Sequence, residues 1–141
     1  MRRVIGFAFG LASMLAGEGA AQAQDATRFD GNWSVVLTCP DASDGARGFT
    51  FNFGATVSGG KLHAQFGNLG MTPSLTLDGP IQPDGNAVFD AQGLSGATGY
   101  NVGGAERGTP YRRPVTARFE NSRGTGEWYA KRVCKFAFTR N

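Results

Sequence analysis

The chain has 141 residues, 22 of them glycine, with two cysteines, one histidine and a formal net charge of +3. This length suits one small domain with a core of its own, and so small a net charge argues against nucleic-acid binding. Two thiols and one imidazole cannot make an ordinary closed zinc site without several carboxylates, so we expect no metal and no other cofactor.

The first 23 residues have the features of a secretory signal peptide. A pair of arginines gives a positive start, the residues that follow as far as Ala16 are apolar, and Ala21-Gln22-Ala23 has the A-x-A pattern of a cleavage site. This apolar stretch is too short to span a bilayer comfortably. We therefore expect residues 1–23 to be removed and residues 24–141 to form one domain, located in the periplasm or outside the cell.

After this leader the chain alternates apolar and polar residues in short runs, which is the pattern of β-strands with one buried face. In the first run Trp33, Leu37 and Cys39 share a face. Turn sequences such as Pro83-Asp84-Gly85 separate the runs. The runs lie at 29–39, 49–57, 62–66, 75–81, 87–91, 115–119, 126–130 and 134–140. The pattern predicts an all-β domain of about eight strands.

The two cysteines relate the first strand to the last. Cys39 and Cys134 lie on apolar faces of these strands, and in an exported protein a disulfide is the expected state of two thiols. With antiparallel pairing and the cysteines opposite, paired residue numbers sum to 173, which places Trp33 opposite Arg140. An even number of strands allows such closure, and closure removes exposed edges. We predict a single antiparallel up-and-down barrel, with a two-sheet sandwich as the alternative.

The lengths of the connections predict two different barrel ends. One end has only tight turns, near 58–60, 82–85 and 121–124, whereas the other has the loops 40–47, 67–73 and 94–113. The alternation of an up-and-down barrel then places Trp33 and Arg140 at the shut end and the disulfide at the end with the loops.

The sequence Gly31-Asn32-Trp33, together with Arg140, resembles the Gly-x-Trp motif and closing arginine of lipocalin-like (calycin) barrels. In that superfamily the arginine packs across the tryptophan and plugs the base of the barrel. The chain is also similar to small exported bacterial proteins of unestablished function that have Gly-x-Trp, two cysteines and a Gly-Thr-Gly-x-Trp hairpin, here Gly124 to Trp128. In size, export and barrel type it further resembles periplasmic inhibitors of secreted metalloproteases.

The charges favour a binding surface on the longest loop. Residues 25–105 carry three basic and seven acidic side chains, a net of −4, whereas residues 106–141 carry nine basic and three acidic ones, a net of +6. Long loops without a strand pattern are typical of functional or mobile segments, and arginine and tyrosine are favoured in binding surfaces. The predicted site in loop 94–113 consists of Tyr100, Arg107, Tyr111, Arg112 and Arg113. The alternative is a solvated loop without a partner.

The candidate functions belong to three classes. A barrel of this size is either filled or holds one small ligand, and its many inward phenylalanines favour a filled or narrow interior. A binding module would take a small apolar or acidic ligand; the alternative is an inhibitor or other partner of an envelope protein. An enzyme is disfavoured because the sequence supplies no nucleophile or carboxylate beside His63, which faces outward. We expect a monomeric binding protein without catalytic activity.

Overall fold

The structure, a computed structural model, describes residues 27–141. The predicted signal peptide at 1–23, and residues 24–26 at the start of the predicted domain, lie outside the described residues. Within residues 27–141, no helix combines the length and the hydrophobicity that are needed to cross a bilayer.

Eight antiparallel strands in the described part of the chain form one closed barrel. The strands are β1 (Gly31–Cys39), β2 (Phe49–Ser58), β3 (Lys61–Phe66), β4 (Ser74–Pro80), β5 (Asn86–Leu94), β6 (Pro110–Glu120), β7 (Arg123–Tyr129) and β8 (Val133–Arg140). Each strand pairs with the next along the chain, and β8 pairs with β1. This topology confirms the predicted all-β up-and-down barrel and excludes the two-sheet sandwich.

The pairing of β1 with β8 closes the barrel. Trp33 lies opposite Arg140, and the register continues to Thr38 opposite Lys135. Cys39 and Cys134 form a disulfide with their Cα atoms 4.3 Å apart, which confirms the predicted link between the first and last strands. The bond joins residues 95 positions apart in the sequence. On the chain-entropy model, a loop of that length adds about 4–5 kcal/mol of stability by restricting the unfolded chain.

The shut end is covered by Trp33 and the residues around it. Trp33 is 0% exposed, and its Nε1 donates a hydrogen bond to the carbonyl of Phe29 at 2.9 Å. The guanidinium of Arg140 lies 5.0 Å from the centroid of the Trp33 ring, and its Nη2 donates to the carbonyl of Arg28 at 2.7 Å. Gly31 begins β1 with φ at 137°, a backbone conformation that favours glycine.

The first strand begins later than the sequence pattern predicts. The predicted strand was 29–39, but β1 starts at Gly31, and Phe29 lies in a preceding turn. Phe29 is nevertheless buried. The next residue, Asp30, accepts hydrogen bonds from the two N–H groups of Gly59–Gly60, at 2.9 and 3.0 Å. These contacts attach the segment before β1 to the β2–β3 turn at the shut end.

Aromatic rings fill the half of the barrel next to the shut end. Phe119 lies at their centre, with its ring centroid 5.3 Å from Trp33, 5.9 Å from Phe89 and 4.8 Å from Phe138. Gly124, opposite Phe119 in the β6–β7 ladder, leaves the space for this ring, because a Cβ there would lie 2.8 Å from two of its carbons. All four rings are buried, so this half of the interior is a packed core.

We predict that Trp33→Ala lowers the free energy of unfolding by about 3–5 kcal/mol, because it empties a large buried site. Urea denaturation measures the change. The control is Tyr129→Ala, since Tyr129 is an aromatic residue that is 76% exposed. If the two variants lose equal stability, Trp33 does not support the shut end in this way.

Candidate functional site

The other half of the barrel contains a cavity of about 540 Å³. Its wall includes inward-facing apolar side chains, among them Leu37, Phe51 and Trp128, and the disulfide-bonded Cys134. Polar and charged side chains contribute as well: Ser95, Tyr100, Asn101, Arg107, Thr109, Tyr111, Arg113 and Arg132. Side chains therefore fill the interior only near the shut end. From the many inward phenylalanines the sequence had predicted a filled or narrow interior along the whole barrel.

The β5–β6 connection, residues 95–109, folds over this cavity and is called the lid below. It contains two short 3₁₀ turns, Thr98–Tyr100 and Val102–Gly104. Its backbone bonds to the β1–β2 loop, where the N–H of Arg47 donates to the carbonyl of Gly99 at 2.9 Å. The N–H of Gly103, whose φ is 71°, donates to the carboxylate of Asp44 at 2.7 Å. This bond, followed by one from the N–H of Ala46, holds the pKa of Asp44 below its ordinary value.

Arg132, in the β7–β8 turn, connects the lid to the barrel. It is only 9% exposed, and its Nη1 donates to the carbonyls of Pro40 at 3.1 Å and Arg47 at 2.9 Å. Its Nη2 donates to the carbonyl of Tyr100 in the lid at 2.7 Å, and its guanidinium lies 5.1 Å from the centroid of Phe49. Burial lowers the pKa of Arg132 from its ordinary value. The three carbonyls compensate in part for this desolvation, since they satisfy its N–H donors.

Tyr111 forms a neutral part of the cavity wall. It points inward from β6, and its hydroxyl donates a hydrogen bond to the carbonyl of Ser74 at 3.1 Å. Gly93 faces it across the β5–β6 ladder, and a Cβ at Gly93 would lie 2.6 Å from the tyrosine oxygen. Glycine at this position therefore lets the phenol cross to β4. Burial raises the pKa of Tyr111 to about 12.

Two further arginines line the cavity without a protein partner. Arg113 faces inward from β6 opposite Ala91 and is partly buried, and Arg107 reaches the cavity from the lid. Neither guanidinium forms a hydrogen bond or an ion pair with any of residues 27–141. The positive charge of Arg113 lies close enough to Arg132 to lower the pKa of that group. The cavity therefore combines an apolar wall with an excess of positive charge.

The structure brings four of the five predicted site residues to this cavity and places the fifth elsewhere. Tyr100, Arg107, Tyr111 and Arg113 line the cavity. Arg112 points to the outer face of β6, where its Nε and Nη2 bond to the carboxylate of Asp90 at 2.9 and 2.7 Å. This contact lowers the pKa of Asp90 and raises that of Arg112. Arg112 is thus paired on the outer face and does not line the cavity.

The predicted bounds of the long loop, 94–113, were wrong at both ends. Leu94 is the last residue of β5, and residues 110–113 are the first four of β6. The inward residues of this part of β6 include Arg113, and the strand also contains Pro110 and Pro114. A charged side chain on the inner face and two prolines interrupt the apolar alternation by which strands are recognised.

His63 has a partner that its sequence neighbours do not reveal. Its Nδ1 lies 2.5 Å from Oδ1 of Asp78, which is opposite it in the β3–β4 ladder. The sequence-based expectation that no carboxylate lies beside His63 was therefore wrong. Both side chains are well exposed on the outer face, and neither lines the cavity. Within residues 27–141, no three His, Cys, Asp or Glu side chains are grouped so that they could hold a metal ion.

Comparison of the chain with known protein families, with curated proteins and with solved structures gave no match. The closed eight-stranded antiparallel barrel is compatible with a lipocalin-like barrel.

We predict that Arg132→Met releases the lid. Three carbonyls lose a charged donor, a loss that is offset in part because the desolvated guanidinium is removed as well. The free energy of unfolding should fall by about 2–4 kcal/mol, and amide hydrogen exchange in residues 98–104 should accelerate. The control is Lys131→Met, since Lys131 is exposed in the same turn. Unchanged exchange in the lid of the Arg132 variant would contradict this role.

We predict that Tyr111 makes stability fall at alkaline pH. Its pKa is about 12 in the folded protein and about 10 in the unfolded chain. The unfolded state therefore ionises first, so the contribution of Tyr111 is complete below pH ~10 and is lost as the pH rises to ~12. Two pKa units correspond to about 2–3 kcal/mol. Denaturation of Tyr111→Phe should show a shallower decline over this interval, and parallel declines would contradict the prediction.

Proposed function

We propose that this protein is a lipocalin-like binding module whose cavity holds a small ligand with an apolar body and an acidic group. The observation that carries the proposal is the unpaired guanidinium of Arg113 in the wall of an otherwise largely apolar cavity. We further propose that the protein works as a monomer in the periplasm or outside the cell, and that it is not an enzyme.

The cavity offers an apolar ligand a preformed surface. Its volume of about 540 Å³ lies within the range of about 300–1,000 Å³ that is usual for small-molecule sites. Leu37, Phe51 and Trp128 line it. Each Å² of apolar ligand surface removed from water against such a wall contributes about 25 cal/mol. An apolar body of modest size therefore gains enough from burial to bind.

The arginines determine which polar group the ligand should carry. Arg132 is satisfied by three carbonyls, but Arg113 and Arg107 are not paired with any described residue. A partly desolvated cation is stabilised by an anion that accepts its hydrogen bonds, and arginine binds carboxylate and phosphate oxygens in pairs. A ligand with a carboxylate or a related acidic group would supply the missing partner of Arg113.

The charged groups of the cavity favour binding over catalysis. Those that line it within residues 27–141 are all arginines. A guanidinium stays protonated at physiological pH, so it can orient and neutralise an anion but cannot exchange protons as a general acid or base. Export is supported by the Cys39–Cys134 disulfide, because such bonds persist in oxidising compartments.

A second candidate function is the binding of an envelope protein, such as a protease. It is favoured by two exposed apolar side chains in the β3–β4 loop, Leu69 at 69% and Met71 at 62% exposure. Protein interfaces often contain such residues, and methionine is enriched in them. Replacement of both by serine should abolish capture of a partner by the immobilised protein, and it should leave small-ligand binding intact.

We predict that Arg113→Gln weakens the binding of dansyl-labelled undecanoic acid by about tenfold, which corresponds to about 1.4 kcal/mol. The probe combines an apolar chain with a carboxylate, and fluorescence titration measures its dissociation constant. Neutral dansylamide should bind the variant and the wild type alike, because it makes no ion pair. The control is Arg118→Gln, since Arg118 lies on the outer face of the same strand and donates to Asn86. Equal losses in the two variants, or none, would contradict the proposal.

A further inference from the structure

The ladder between β6 and β7 is incomplete. Its pairs run from Glu120 opposite Arg123 to Thr116 opposite Glu127 and end there. From this pair towards the lid, β6 continues to Pro110 and is paired only with β5. In the same direction β7 continues to Tyr129 and is paired only with β8. In this register Pro114 and Val115 lie opposite Tyr129 and Trp128 without backbone pairing, and residues 110–113 extend past the end of β7. This stretch without pairing, called the gap below, lies next to the cavity.

Two prolines explain where the ladder ends. The β6–β7 turn has two residues, so the residues on either side of it, Glu120 and Arg123, form a hydrogen-bonded pair. In an antiparallel ladder such pairs recur at every second residue. The even-numbered residues of β6 therefore point their backbone N–H and C=O groups at β7. In agreement, the N–H of the odd-numbered Phe119 donates to the carbonyl of Gly85, on the β5 side. The next residue to donate to β7 would be Pro114, and proline has no N–H. Pro110 removes another donor from the same edge.

The gap lies between the cavity and a groove of about 360 Å³ on the outer surface of the barrel. Arg113 and Trp128 line both of these spaces. In the groove Tyr129 and Val133, which are 76% and 40% exposed, supply an apolar part, whereas Arg112 and Glu127 add one charge of each sign. An unpaired cation therefore lies at the boundary between two partly apolar spaces.

The lid is attached on the other sides of the cavity. It bonds to Asp44 and Arg47 in the β1–β2 loop and to Arg132 in the β7–β8 turn. Its Gly96 also approaches Pro73, since a Cβ there would lie 3.3 Å from the proline side chain. A passage over the lid would require these contacts to break. A passage between β6 and β7 would break none of them, and would displace only the edge-to-face contact of the Tyr111 and Trp128 rings, whose centroids are 6.0 Å apart.

We propose that the β6–β7 gap is the port of the cavity, and that an elongated acidic amphiphile lies across it. Its apolar body occupies the cavity, its acidic group contacts Arg113 at the gap, and its remaining part extends along the outer groove over Tyr129 and Val133. This inference rests on the proposed function and adds the route and the shape of the ligand.

The test joins β6 to β7 across the gap. Pro114 and Tyr129 continue the register that pairs Thr116 with Glu127, and both face outward. The variant Pro114→Cys/Tyr129→Cys is oxidised to a disulfide and reopened with a mild reductant, and mass spectrometry after alkylation checks that the native disulfide, whose cysteines are buried, stays intact. Stopped-flow fluorescence then measures the association and dissociation rates of a lysophospholipid with a fluorescent head group, in which the phosphate lies between the acyl chain and the labelled head group. Anilinonaphthalene sulfonate serves as a compact anionic probe that fits within the cavity.

Closing the gap should slow both rates for the lysophospholipid probe by roughly tenfold or more, because binding then requires the lid to open. Its affinity should also fall by roughly tenfold, whereas the compact probe should exchange slowly but keep its affinity within about twofold. Reduction should restore all these values. The matched control is Arg118→Cys/Thr125→Cys, a paired position of the same two strands below the gap, where a disulfide should change no rate.

The remaining outcomes separate this inference from the proposed function. If the probes bind but exchange equally fast with the gap closed and open, the port is elsewhere and the inference is wrong. If exchange slows equally for both probes with no change in affinity, the gap is a port, but no ligand lies across it. If neither probe binds the wild-type protein, the proposed function fails and the inference fails with it. The single variant Pro114→Val, which restores one N–H, should slow exchange more weakly and checks that the effect does not depend on the cross-link.

Discussion

Because β8 pairs with β1 and a disulfide joins their ends, the eight strands enclose an interior of fixed width that side chains either fill or leave empty. Near the shut end the inward positions carry large rings, Trp33, Phe89 and Phe119, which pack together. Towards the lid the inward residues after Phe89 on β5 are small, namely Ala91 and Gly93. The cavity thus lies where the sequence supplies too little side-chain volume to fill a barrel of this width, and packing alone accounts for its position.

Two arginines of the cavity wall, Arg132 and Arg113, have different roles because only one of them has partners within the protein. Arg132 is buried, but it donates to three carbonyls and so holds the β1–β2 loop and the lid in place. Arg113 lines the same cavity without a hydrogen bond or ion pair to any described residue. Arg113 is only partly buried, and its side chain adds no hydrogen bond to the barrel, so its contacts give it no structural role of the kind that Arg132 has. We therefore assign a structural role to Arg132 and propose that Arg113 serves recognition of the ligand.

Most of the fold could be predicted from the sequence, because alternation and the two cysteines specify strand faces and one register, including Trp33 opposite Arg140. The site was harder to predict because its residues depart from that alternation. Arg113 on an inner face looked like part of a loop. Arg132 precedes Cys134 by two residues, so the alternation of the last strand, continued backwards, places it on the same inward face. The His63–Asp78 contact depends on the β3–β4 register, which no sequence feature specified.

The gap between β6 and β7 raises the general problem of an open edge, since unpaired strand edges invite pairing with other chains. In this barrel Pro110 and Pro114 both occupy positions whose N–H would face β7, so the edge that is exposed lacks two of its donors. Arg112, between them, places an ion pair with Asp90 on the outer face. The two prolines that end the β6–β7 ladder therefore also make this edge of β6 a poor template for pairing with a strand of another chain.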